Sequence, residues 1–247
     1  MANRLITIPF SHFCEKARWA LERAGVAFAE DGHLPIFHYL PVKRAGAKRT
    51  VPVLVADGRL VADSTDIIAW ADGQRPGSLY PIDARTRAEA LALEDELDKA
   101  LGPAARRWAY FHLLPRKDLD HIVTRGVPAW EVRALKLSRP IAVGMLKRGL
   151  NISAASVARS RTKIDETFDR VNALLRDGRR FLVGDTFTVA DLTLAALAAP
   201  ILVPRRNHPF PPPDTTVFPA DAQDQIARWR DTATGRHALA MYETERG

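Results

Sequence analysis

Residues 4–29 read RLITIPFSHFCEKARWALERAGVAFA, and residues 51–68 read VPVLVADGRLVADSTDII. In the first stretch, Arg4–Ile8 is a β-branched run stopped by Pro9, which predicts a strand. Cys14, Ala17, Ala20, Leu21 and Ala24 then recur at helical spacing over Ser11–Ala24. Ser11 suits the N-cap of that helix, and Gly25 suits the position just beyond its end. Val26–Ala29 predicts a second strand. A strand, a helix and a strand in so short a span form a βαβ unit, which places its strands parallel. In the second stretch, Val51–Val55 and Arg59–Ala62 flank Asp57–Gly58, a strong hairpin signal. Pro52 stands at the start of its run, where a missing donor does least harm. Ser64 opens a further helix with Ile67, Ile68 and Ala71 on one face.

The order β-α-β, connector, β-β-α is that of a thioredoxin-like domain. Working outward, the signals from about Thr86 onward are helical. Ala90, Leu93, Leu97 and Leu101 fall near heptad spacing within Arg85–Leu101, and Ile164, Phe168, Val171, Leu174 and Leu175 recur within Arg161–Leu175. The clearest element begins at Thr188. Thr188 caps it, Asp191 returns a bond to the Thr188 amide, and Phe187 and Leu192 can close a hydrophobic staple. Its run through Leu194, Leu197 and Ala198 to Pro200 is almost wholly apolar, which predicts a central core helix. Residues 200–219 carry seven of the seventeen prolines and predict an extended loop between helices. The expected fold class is therefore an α/β thioredoxin-like N-terminal domain, residues 1–80, followed by an all-α helical-bundle C-terminal domain, residues 85–247.

The 247 residues are 47% hydrophobic and 26% charged, enough apolar side chain to bury a core and far from a disordered composition. No apolar run reaches the roughly 18 residues of a membrane helix, and the N-terminus lacks a signal-peptide pattern. With Cys14 as the single cysteine, no internal disulfide framework exists, and a cytoplasmic location is expected. The net charge of +7 is spread out: residues 1–80 hold 10 basic and 8 acidic side chains, and the other 167 hold 26 and 21. That distribution, in short doublets such as Arg106–Arg107, reads as a solvated basic surface rather than a nucleic-acid footprint. A small anionic ligand remains compatible with it.

Three segments can carry chemistry. Ser11-His12-Phe13-Cys14 lies where a strand passes into a helix, whose free amides and partial positive charge favour an anion. Ser11 either donates a hydrogen bond to such an anion or serves only as an N-cap. His12 reads as a solvated loop side chain rather than a base. Cys14 falls on the apolar stripe of its helix, as a structural cysteine would. Val51–Pro52 can leave a backbone edge free for an extended peptide. Asp63–Ser64, again at a strand-to-helix junction, offers a carboxylate and a helix start to an α-amino acid head group, or is a simple cap. No grouping has metal-ligand spacing, and no phosphate loop is present.

The element order, SHFCEKARWAL, the TVPVL segment, DST before a helix and the FTVADLTLA stretch together resemble the cytosolic glutathione transferases over nearly the whole chain. The resemblance implies glutathione as co-substrate and no metal, with a hydrophobic electrophile as second substrate and a homodimeric assembly. It implies that Ser11 activates the thiol, that Val51 before a cis Pro52 binds the cysteinyl backbone, and that Asp63 and Ser64 hold the γ-glutamyl end. His38, Lys48 and Arg49 are candidates for the glycine carboxylate. LPVKRAGAKRT departs from the family's Asn-Pro-x-Gly pattern and leaves that choice open. Phe13, Trp108, Tyr110 and Phe111 are candidates for the electrophile pocket. Two alternatives accompany this reading: a thiol–disulfide or deglutathionylating enzyme using Cys14, and a non-catalytic binding member of the family.

Overall fold

The computed structural model describes residues 3–205 and 214–246. Residues 206–213, within the proline-rich segment, lie outside the described residues. Strand β1 (Asn3–Thr7), helix α1 (His12–Arg23), β2 (Phe28–Gly32), α2 (Tyr39–Arg44), β3 (Val53–Ala56), β4 (Arg59–Ala62) and α3 (Ser64–Gln74) form the first domain. The sheet order is β2-β1-β3-β4. β1 and β2 run parallel, and the other two pairings are antiparallel. Asp57 and Gly58 make the tight hairpin turn, both at positive φ, 49° and 75°.

Alternation along the strands sets the two faces of the sheet. Leu5 and Leu54, paired across β1 and β3, join the main core with α1 and α3. Their neighbours Ile6 and Val53 point the other way and meet Val42 of α2 in a small separate core. One expectation is corrected here, and one element is added to the expected order. The second strand is not Val26–Ala29 but lies further on, because its register pairs Asn3 with Phe28 and Thr7 with Gly32. The polar connector holds a short helix, α2, that caps the outer face of the sheet.

The rest of the chain is helical: α4 (Ala84–Leu113), α5 (Asp120–Val123), α6 (Ala129–Gly149), α7 (Ala154–Leu174), α8 (Val189–Leu202), α9 (Ala220–Asp231) and α10 (Ala233–Thr244). α4 packs along both α7 and α8, and α8 also meets α1, so one core runs through both domains. α8 is the central helix, buried at nearly every position. The Thr188–Asp191 capping box forms as predicted. Asp191 also accepts from the Leu182 amide and pairs with His237 Nε2 at 2.9 Å, so its buried carboxylate fixes three segments at once. Trp19 of α1 crosses the domain boundary, stacked on Phe187 with its indole N–H donating to the Glu245 carbonyl. Lys16, fully buried, reaches from α1 to Glu94 at 2.8 Å and Asp98 at 2.6 Å on α4.

Candidate functional site

β1 ends at Thr7, and the chain turns through Pro9 into α1, whose N-cap is Ser11. The Ser11 amide is bonded to the Ile8 carbonyl at 2.9 Å, which fixes the turn. Its side chain makes no capping bond; its hydroxyl is hydrogen-bonded to the buried Cys14 thiol. Ser11, Phe10 and Tyr110 line an apolar cavity of about 190 Å³ between the domains. Leu113 of α4 and Val203 beyond α8 continue its wall, and Leu135, Val143 and Leu146 of α6 roof it. α6 is held at its start by Glu131, which accepts from the Leu34 amide at 2.8 Å and lies 2.5 Å from His33 Nδ1.

His12 is not a solvated side chain. It is buried, and its Nε2–H donates to the Gly102 carbonyl at 3.0 Å. Burial foremost, and then the Arg106 charge, lower its pKa to about 3. The ring is therefore neutral and a poor base. Cys14 is fully buried. Burial pushes its thiol up to about 11, which keeps it protonated and unreactive near neutral pH.

The Val51–Pro52 peptide is cis. The amide and carbonyl of Val51 make no backbone bond among the described residues. The Pro52 carbonyl accepts from the Asp63 amide at 3.3 Å, so the Val-Pro and Asp-Ser segments are brought side by side. Asp63 sits at φ 90°, and its carboxylate caps α3 through the Thr65 amide at 3.0 Å. Ser64 is buried at the first position of the helix.

Of the three candidates for the glycine carboxylate, His38 and Arg49 come together and Lys48 does not join them. His38 is buried, its Nδ1 has no partner, and burial lowers its pKa. Arg49 donates to the Tyr39 hydroxyl at 3.2 Å, with its guanidinium over the same ring. Lys48 is exposed.

Phe13, Trp108 and Phe111 lie outside the cavity wall. Phe13 fills the space above Gly102, where a β-carbon would come within 2.5 Å of its ring. Trp108 packs on Phe218 and Trp229 in the core, and Phe111 meets His112 edge-on. The aromatic residues of the wall are Phe10, Tyr110 and Phe218. Sequence reading also missed the α6 roof and its Glu131 anchor, for which a lone glutamate in an apolar helix gave no signal. Among the described residues, no group of three metal-ligating side chains could hold an ion, and no helix is long and apolar enough to cross a membrane.

Comparison with known proteins adds the following. Residues 5–79 match the glutathione S-transferase N-terminal domain, and residues 154–231 match the glutathione S-transferase C-terminal domain. No curated protein sequence matches the chain. Among solved structures, a glutathione transferase from Phanerochaete chrysosporium is similar at 16% identity and TM-score 0.64, covering 100% of this chain and 98% of its own. A glutathione S-transferase of Ceriporiopsis subvermispora in complex with glutathione is similar at 17% identity and TM-score 0.63, with the same coverage of 100% and 98%. A beta-etherase from Sphingobium sp. strain SYK-6 is similar at 17% identity and TM-score 0.61, covering 97% of this chain and 99% of its own. At these identities the likeness is one of fold.

Proposed function

We propose, from the premise that the chain belongs to the glutathione S-transferase family, that it holds the glutathione thiolate at the start of α1 and delivers it to an apolar electrophile in the cavity beneath α6. One observation carries this reading. Ser11 stands at a helix N-cap with its side chain unspent on capping and, at the same time, in the wall of an apolar cavity. The free amides and partial positive charge of the helix start favour the anion over the thiol. The Ser11 hydroxyl donates a hydrogen bond to it. The thiol proton leaves to solvent, and the sulfur attacks the electrophilic carbon as the leaving group departs with its bonding electrons.

The rest of glutathione follows the sheet edge in this reading. The free backbone groups of Val51, before Pro52, pair with the cysteinyl segment. Asp63 takes the γ-glutamyl ammonium, and Ser64 with its helix start takes the α-carboxylate. His38 and Arg49 are favoured for the glycine carboxylate, since they lie together and Lys48 does not. Crystal forms of similar proteins contain glutathione or glutathione sulfonate, which supports the choice of ligand. The buried Cys14, with its raised pKa, favours Ser11 over Cys14 chemistry. Cytoplasmic location and a homodimer belong to the same proposal.

Calorimetric titration with glutathione and then with S-hexylglutathione tests it. Both bind, the thioether more tightly because its alkyl chain enters the cavity. Ser11→Ala lowers turnover of a chloronitrobenzene electrophile about 10–1000-fold, the scale of a lost anion-stabilising donor, with glutathione affinity little changed. Absence of binding by either ligand, or full turnover in Ser11→Ala, would overturn the assignment.

A further inference from the structure

We infer that the outward face of α6 docks on a membrane surface rich in anionic lipid. The inference goes beyond the glutathione reading and does not depend on it. α6 carries apolar side chains on two opposite sides. Counting about 100° of turn per residue, Leu135 and Leu146, which roof the cavity, lie on one side. Trp130, Leu137 and Ile141 lie on one line along the other, with Met145 beside it. Leu137 is 89% exposed and Ile141 68%, and Trp130 and Met145 are exposed as well. Of the eight large apolar side chains exposed among the described residues, four stand on this one helix. The half-buried Phe37 meets Trp130 edge-on at 5.5 Å, so the patch continues onto the first domain. Exposed apolar residues scattered singly are ordinary, whereas a contiguous row marks an interaction surface.

The same face is basic. Arg133, Lys136 and Lys147 run along one flank of the apolar row, and Arg148 stands at its C-terminal end. All four are exposed, and none forms an ion pair among the described residues. The single acidic side chain of α6, Glu131, is buried against the Leu34 amide and His33. The outward face of the helix therefore carries positive charge alone.

These features select the occupant. A helix with tryptophan and aliphatic side chains along one line and Lys or Arg on its flank lies in the plane of a bilayer interface. Its apolar side chains enter the acyl boundary and its cations meet lipid phosphates. Trp130 suits the headgroup level. Pairing of this face with itself in a second copy would offer no carboxylate to the four cations and would bring like charges together. α6 packs extensively on no single element among the described residues, so its outward side is a ridge rather than a groove. A ridge suits a fluid surface that closes around each side chain. No helix among the described residues is long and apolar enough to cross a membrane, so this contact is a peripheral one. Docking sets the roof of the cavity against the bilayer, where apolar molecules concentrate.

Co-sedimentation with sucrose-loaded vesicles tests this, comparing two parts phosphatidylcholine to one part phosphatidylglycerol with phosphatidylcholine alone. The protein partitions at least about tenfold more strongly onto the anionic vesicles, and added salt weakens the binding. Lys136→Gln with Lys147→Gln lowers partitioning about 25-fold, about fivefold for each charge. Arg59→Gln with Arg176→Gln removes two exposed cations from other elements and changes it less than about threefold, because charges away from the contact are screened. Leu137→Ser with Ile141→Ser lowers it by about tenfold or more, and both side chains are exposed, so the fold is untouched. Tryptophan emission shifts to the blue on anionic vesicles, and Trp130→Phe abolishes the shift. A wild-type protein that does not bind the anionic vesicles overturns the inference. So does binding that the α6 variants retain in full. Self-association in sedimentation velocity that Leu137→Ser with Ile141→Ser abolishes, without vesicle binding, overturns it and gives the face to a second copy.

Discussion

Glu131 of α6 accepts a hydrogen bond from the Leu34 amide at 2.8 Å, ninety-seven residues away in sequence, and its side chain is fully buried. That carboxylate also meets His33 Nδ1, and His33 Nε2 in turn lies 3.0 Å from Asp31. α6 has no extensive packing on any other single element among the described residues, and Leu137 on its outer side is 89% exposed. The roof of the cavity is tied down at its start by this anchor, and further along by Arg139, which pairs with Asp120 at 2.9 Å and donates to the Leu114 carbonyl at 3.1 Å. Replacing Glu131 by Ala strands the Leu34 amide and the His33 ring, at about 1–3 kcal/mol for each buried group left unpaired. We expect amides of α6 to exchange with deuterium much faster in Glu131→Ala while those of α8 are unchanged. S-hexylglutathione should also lose more affinity than glutathione. Uniform exchange protection in the variant would show that α6 is held by something else.

His12 links stability to pH. Its pKa is about 3 in the folded protein, lowered chiefly by burial and then by Arg106, against 6.5 in an unfolded chain. Between those values the unfolded state binds the proton and the folded state does not. Stability from the neutral ring is therefore complete above pH 6.5 and is lost as pH falls toward 3. From pH 7.5 to 5.5 the loss from this one group is roughly 1.3 kcal/mol. Carboxylates titrate in the same range, so the useful quantity is the difference between wild type and His12→Gln in urea denaturation at the two pH values. Wild type should lose more. Parallel losses would mean that His12 is charged or solvated in the folded protein.

Why some of this was readable beforehand and some was not has a physical basis. The Thr188–Asp191 box, the Asp57–Gly58 turn and the start of α1 are local devices, decided by residues three or fewer positions apart. They appear in the sequence because nothing distant is needed to make them. The second strand was displaced because Thr7 and Arg18 both bond Glu30, a tertiary arrangement that propensity does not encode. The roof was illegible for another reason. In α6, Leu135 and Leu146 face the cavity, while Leu137, Ile141 and Met145 face outward, so apolar residues on both sides erase the period. The polar pieces of the site were legible as separate segments at strand-to-helix junctions. Which aromatic faces the cavity was not. Trp108 and Tyr110 are two residues, about 200° of helix turn, apart, and only the packing of α4 decides which of them lines the cavity.

Cys14 should behave as a core residue. Its thiol is fully buried and raised from 9.0 to about 11, which lowers the thiolate fraction near neutral pH about 100-fold. Alkylation by iodoacetamide at pH 7.5 should be slower than that of free cysteine by at least about that factor, and should go to completion once the protein is unfolded in urea. Cys14→Ala should retain glutathione binding and turnover. Rapid labelling of the native protein would revive the disulfide-exchange alternative that the burial argues against.

Two glycines in helices make opposite predictions from one rule. Alanine is preferred to glycine inside a helix by about 1 kcal/mol, so Gly144→Ala in α6, where an added β-carbon meets nothing within 4 Å, should stabilise the protein by up to that amount. Gly102 in α4 is different. A β-carbon there comes within 2.5 Å of Phe13 Cζ and 3.2 Å of Cε2. The Phe13 ring lies against the His12 ring at 4.6 Å, which blocks its retreat on that side. Overpacking of this kind costs about 1–3 kcal/mol, which exceeds the propensity gain. Gly102→Ala should therefore lower the urea midpoint while Gly144→Ala raises it. It should also lower turnover, because the displaced ring shifts the first turn of α1 on which Ser11 stands. Phe13→Leu combined with Gly102→Ala should recover much of the stability, since the shorter side chain vacates the space. If Gly102→Ala alone is as stable as Gly144→Ala, the domain boundary at α1 and α4 is looser than this packing requires.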